Sequence, residues 1–207
     1  MRARSGGVTL NFENGTLHSI RSDSQRALAV AWARLAKEGL PSFDHFHPEP
    51  GIHDPKQLVA WKVEIHDGQL DFRALYRGKL VDEAFNDGWI GKTLREVAPP
   101  ALQPAIIGAS DHCVSTGCAV YMVLRTYHGA GSPVDLERLL LPFGKSGRVK
   151  IIVASLQLSS PENVFERRKI VEDFEAQLEV VASARISAAC INAAVTAPRK
   201  VAAKLAQ

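Results

Sequence analysis

Two short glycine-containing turns, each set between strand-like runs, constrain this chain more than any other feature of its sequence. Asp67-Gly68 divides the stretch from Leu58 to Arg77, and Gly144-Lys145-Ser146-Gly147 separates Val134–Phe143 from Val149–Leu158. An Asp-Gly pair between apolar runs favours a type I′ turn, whose two central residues need positive φ. Each turn therefore folds its flanks into an antiparallel hairpin. Two such hairpins, with helical segments between them, predict an antiparallel sheet with helices packed on one face. The alternating order of a doubly wound fold is not present.

The remaining segments follow from spacing and punctuation. Residues 1–22 are polar, glycine-containing and without period, and are expected to form a loose arm. Ser22, Asp23 and Ser24 offer N-caps for a helix carrying Leu28, Ala31, Trp32 and Leu35 at helical spacing. Gly39 and Pro41 stop it, and a proline-rich connection leads to Leu58. Phe72, Ala74 and Tyr76 alternate onto one face of the second strand, with Arg73 and Arg77 on the other. Leu80 to Phe85 and Thr93 to Val97 suit short helices, and Pro99-Pro100 opens a longer one reaching about Thr116. A strand over Cys118–Tyr127 precedes the second hairpin. Ser160 and Pro161 then begin a final helix, with Phe165, Ile170, Phe174, Leu178 and Val181 along one stripe. The expected fold class is α+β, with a five-stranded antiparallel sheet and terminal flanking helices. Its divisions are an arm over 1–22, a domain over 23–158, and a helix with a basic alanine-rich tail over 159–207.

Bulk properties exclude several classes. A net charge of +3 over 207 residues does not point to a nucleic-acid binder. No apolar run approaches the roughly eighteen residues that a membrane span needs. Arg2 and Arg4 are followed by no hydrophobic region, so a secretory signal is not expected and the cytoplasm is the expected location. Cys113, Cys118 and Cys190 form no CxxC pair and leave an odd number, which argues for reduced thiols.

The order of two strands, short helices, one longer helix and three strands resembles the PAS fold. The residues sharpen the likeness to a bacterial family of small, often stand-alone PAS proteins with a helix ahead of the core. They are Trp32, Gly39-Leu40-Pro41, Leu70-Asp71-Phe72-Arg73 leading to Gly78, Ile90-Gly91-Lys92 with Leu94, and Glu137-Arg138-Leu139-Leu140-Leu141-Pro142. The resemblance implies a sensory or signalling module with a cavity between the inner sheet face and the helices. Phe72, Tyr76, Phe85, Trp89, Ile106, Ser110 and Met122 are expected to line it, around a small molecule.

Other constellations read as structure. Gly144-Lys145-Ser146 lacks the upstream glycine of a phosphate-binding loop and lies between strands. His45, His47 and His53 offer three imidazoles, but in a proline-rich connection without an obvious fourth ligand, so no metal is expected. PAS domains that hold haem use a histidine on the long helix. His112 lies on the equivalent helix but projects away from the face shared by Leu102, Ile106, Ser110 and Cys113, which places it towards solvent. The flavin-binding cysteine signature is not present around Cys113. No cofactor is expected.

Glu137 and Arg138 must face opposite sides of their strand, so one of them enters a packed layer, where a charge has to be paired or used. No nucleophile–base constellation suggests an enzyme. The expected output is therefore through an unidentified downstream protein. A ligand-free dimerisation adaptor is the alternative, and a small α+β enzyme a distant third. Two terminal helices competing for one sheet face predict a homodimer using Trp32, Phe174, Leu178 and Val181.

Overall fold

The computed structural model describes residues 10–37, 39–47, 53–85, 88–128, 131–161, 172–174 and 177–196. Its strands are β1 (Glu13–Asn14), β2 (Leu58–His66), β3 (Gln69–Arg77), β4 (Ala119–His128), β5 (Ser132–Lys145), β6 (Arg148–Ser159) and β7 (Glu179–Ile186). Its helices are α1 (Asp23–Leu35), α2 (Lys79–Phe85), α3 (Leu94–Val97), α4 (Gln103–Thr116) and α5 (Ala188–Thr196). The strands form one sheet in the order β1-β7-β4-β5-β6-β2-β3. Every pairing is antiparallel except β1 with β7.

Both hairpins form where the sequence places them. Asp67 and Gly68 have φ of 50° and 79°, and Ser146 and Gly147 have 52° and 74°. These are the left-handed values of a two-residue type I′ turn. At Gly144 the ladder shifts register, and a Cβ there would lie 1.9 Å from the Arg148 carbonyl oxygen, so only glycine fits. The helices between the hairpins also follow local signals. Thr93 and Glu96 make a capping box for α3, and Gly117, at φ 62°, closes α4.

The sheet differs from expectation in having seven strands, not five. Residues 179–186, expected to continue a helix, form β7 against β4. Val181 is the unpaired residue of a bulge there, since Val123 pairs with Ala182 and Leu124 with Val180. The arm is also not loose over its whole length: residues 10–21 run back along the molecule. Glu13 and Asn14 pair with β7, and Ile20 is fully buried. One sheet therefore crosses both expected divisions of the chain. Residues 1–9, Phe165, Ile170, Pro198 and the basic residues Arg199, Lys200 and Lys204 lie outside the described residues.

Two cores flank the sheet. The inner face packs under α2, α3 and α4, with Phe72, Phe85, Trp89, Ile106, Met122, Leu140 and Phe174 in one cluster. The outer face carries Tyr121, Val123, Leu139, Leu141 and Phe143 beneath α1 and α5. Trp32, 1% exposed, anchors α1 by donating from Nε1 to the Pro142 carbonyl at 2.8 Å. That bond explains a proline within β5. The β4 ladder ends at Leu140, so Pro142 has a strand neighbour on one side only, and Trp32 takes up its free carbonyl. α5 lies on α1 through Ile191, and Asn192 donates to the Ala33 carbonyl at 3.0 Å.

The helical turn at 172–174 is tied to the end of β4: Thr126 donates to the Asp173 carbonyl at 2.6 Å, and His128 meets the Asp173 carboxylate at 2.6 Å. Phe174 is thereby 0% exposed within its own chain. Leu178 packs on the inner cluster and Val181 on the outer one. Of the residues that the sequence assigns to an interface, Trp32 and Phe174 are buried within the chain itself, and Leu178 and Val181 are half-buried. The extra strand β7 widens the sheet, and α1 and α5 share its outer face.

Candidate functional site

Between the inner sheet face and helices α2–α4 lies a cavity of about 30 Å³. That exceeds the roughly 10–15 Å³ that one water requires. Trp61 of β2 and Phe85, Trp89, Leu94, Leu102 and Ile106 of the helical layer form most of its wall. The Trp61 and Trp89 rings lie 5.8 Å apart, and Phe85 and Trp89 5.9 Å apart. Leu136, Ala154 and Leu156 close the sheet side. Among the lining residues one is charged: Arg138, from the middle of β5.

Arg138 is 4% exposed. Its cross-strand neighbours are Met122 on β4 and Leu156 on β6, and Leu136 and Leu140 flank it along the same face. One terminal nitrogen is fully buried with no hydrogen-bond partner, and no ion pair or hydrogen bond engages the side chain among the described residues. Burial pulls its pKa down to about 10. It is still protonated at neutral pH, so the cavity holds a positive charge with no counter-charge among the described residues.

The sequence places some of these residues correctly and misses others. Phe85, Trp89 and Ile106 line the cavity; Phe72 and Met122 are buried in the same core beside it. Ser110 is buried too, but its hydroxyl donates to the Ile106 carbonyl at 2.8 Å within α4. Tyr76 is outside: it is 46% exposed and donates to the Pro55 carbonyl at 3.2 Å. The cause is a bulge. Ala60 pairs with Tyr76 and Trp61 with Ala74, so Leu75 is the extra residue and the two faces exchange beyond it. Arg77 takes the inward position instead, with its guanidinium 5.6 Å from the Trp89 ring and ion-paired to Asp82.

Trp61 and Arg138 are the main residues the sequence did not single out for the cavity. The signal for Arg138 was its alternation with Glu137, which required one charge to face inward.

The other charge is satisfied. Glu137 faces outward and accepts from Tyr121 Oη at 2.7 Å, and that Oη also accepts from the Arg21 amide at 3.2 Å. Burial and the Glu137 bond push the Tyr121 pKa above its ordinary value. Gln25, buried on α1, donates to the carbonyls of Ser155 at 3.1 Å and Glu137 at 3.4 Å. Asp135 is held by Arg125 at 2.7 and 2.9 Å and by Arg21 at 2.8 Å.

A second, open groove lies beside α4. His112 is not solvent-facing there. Phe12 of the returning arm stacks on its ring at 4.3 Å, and Leu10 covers Gly108 one turn away. His112 Nε2 and Asp111 Oδ1 are buried without partners. Burial, and secondarily Arg185, lowers the His112 pKa; burial raises that of Asp111, against the pull of Arg95. Cys113 is a core residue whose thiol burial keeps protonated. Among the described residues no group of three or more His, Cys, Asp or Glu is placed to hold a metal, so His45, His47 and His53 do not converge.

Five of the strands, β2 to β6, lie beneath α2–α4 with a cavity between the layers, and β7 and β1 extend the same sheet. No protein-family profile matches the chain, and no curated protein does. Among solved structures, one described as an RNA-binding light-oxygen-voltage receptor aligns over 69% of this chain and 41% of its own, with 19% identity and a TM-score of 0.36. The aligned region spans about two fifths of that receptor, and a superposition so loose assigns neither ligand nor activity. No helix among the described residues is long and apolar enough to cross a membrane.

Proposed function

We propose that this protein is a non-catalytic sensory module of PAS type, which takes a small molecule into the cavity between the inner sheet face and α2–α4. One observation carries the reading: a cavity with an otherwise apolar, aromatic wall has a single buried charge directed into it. Such walls, with a few placed polar groups, are the usual form of small-molecule sites. Among the described residues Arg138 is the one titratable side chain lining the cavity, which supports binding over catalysis. Occupancy would reach the outer face through β5, where the preceding residue, Glu137, belongs to the network under α1, and from there a partner protein.

The small volume favours a second reading, a ligand-free adaptor whose inner face is filled by its own side chains. Native mass spectrometry of the purified full-length protein separates the two. A mass increment lost on denaturation supports the sensor. A bare chain whose melting temperature no small-molecule library raises would overturn it in favour of the adaptor.

A further inference from the structure

We propose that the cavity ligand is a small organic carboxylate whose acid group pairs with Arg138 and whose apolar body lies against Trp61, Phe85 and Trp89. This rests on the sensory reading above and adds the chemical class. The inference starts from the charges around the cavity. Asp135 is engaged by Arg21 and Arg125, Glu137 lies on the opposite face under Tyr121, and Asp82 is paired with Arg77. Glu96 is held in the α3 capping box. Each of these described acids is already committed, and the strand neighbours of Arg138 are apolar. The chain itself offers the guanidinium no counter-charge among the described residues.

A buried charge left in this state is costly, and a bound anion would remove the cost. The form of that anion follows from the donors present. A guanidinium presents parallel N–H groups that match the two coplanar oxygens of a carboxylate. A phosphate group carries more charge and more acceptors than one guanidinium satisfies, and no second cation or hydroxyl lines the cavity. The volume, about 30 Å³, limits the body to a few carbon atoms. The aromatic wall favours an alkyl group over a polar one.

The test is a titration of isotope-labelled full-length protein, followed by amide and methyl NMR shifts. Propionate and isobutyrate are compared with propionamide and isobutyramide, which keep the shape and remove the charge. The acids should shift resonances of β5 and of Trp61 and Trp89, and the amides should bind about tenfold more weakly or worse, as loss of a charge-assisted bond predicts. Arg138→Met should abolish acid binding. Arg138→Lys, which keeps the charge without the fork, should weaken it while still preferring acid over amide, and it carries the comparison if the methionine variant fails to fold. Amides that bind as well as acids, or acid binding unchanged in both variants, would overturn the carboxylate assignment and leave the sensory reading standing. If neither acid nor amide binds and native mass spectrometry shows only the bare chain, the cavity reading falls with it.

Discussion

On the outer face of β5, Glu137 accepts a 2.7 Å hydrogen bond from Tyr121 and lies in a network that ties α1 to the sheet, whereas one residue on, Arg138 enters the inner core with no partner among the described residues. The layers above the two faces differ in the same sense. Over the outer face, α1 is pinned by Trp32 and Gln25, and α5 is bonded to α1 through Asn192. Over the inner face, α2, α3 and α4 leave a cavity beside three aromatic rings. One strand thus carries a satisfied structural charge and an unsatisfied one. A group paired within its own chain contributes to the fold, and one left unpaired in a cavity is available to a ligand.

The largest effect should come from Trp32→Ala on the outer face. It removes a fully buried indole and leaves the Pro142 carbonyl without its donor, a loss of about 3–5 kcal/mol. Urea unfolding measures it. A loss below about 1 kcal/mol would mean that α1 is not the rigid layer described.

Next in size is a pair of opposite sign. Arg138→Met removes an uncompensated charge and should stabilise the ligand-free protein, by about 1–4 kcal/mol if it behaves as other buried charges replaced by apolar groups do. Tyr121→Phe leaves the Glu137 carboxylate without its donor and should destabilise by about 1–3 kcal/mol. The same unfolding experiment reads both. Destabilisation by Arg138→Met would break the contrast between the faces.

The smallest effect is a pH dependence. The folded-state pKa of His112 is lowered from 6.5 by burial, so the folded state binds fewer protons than the unfolded one. Stability is then present above pH 6.5 and falls as pH drops below it, levelling off beneath the folded-state value. His53, lowered by burial against the pull of Asp54, acts in the same direction. His112→Gln should flatten the slope slightly, since the ring is only partly buried. A slope unchanged between the two proteins would assign the whole effect to other groups.

Much of the fold was legible because its signals are local. Asp67-Gly68 and the Gly144–Gly147 loop carry the glycines that their turns require, Thr93 to Val97 suit a turn of helix, and Gly117 can end a helix. The two strands joined by each turn follow without knowledge of the rest. Phe85 and Ile106 were legible as cavity residues because they sit on helices whose apolar side is set by spacing.

What only the tertiary structure decided depends on partners distant in the chain. Val180 to Ile186 continue a helical spacing as readily as they alternate, and they become a strand because β4 presents a free edge some sixty residues away. Glu13 and Asn14 have no strand signal and pair only once β7 exists. The bulge at Leu75, which turns Tyr76 out and Arg77 in, is a register mismatch between β2 and β3, invisible to alternation within one strand. For Arg138 the sequence determined that one of two adjacent charges must face inward. Which one, and that no acid among the described residues meets it, followed from the sheet's choice of inner face and from where Asp135, Asp82 and Glu96 found their own partners. Periodicity assigns residues to faces, but the neighbours across a face come from elsewhere in the chain, and a charge is satisfied or left open by those neighbours.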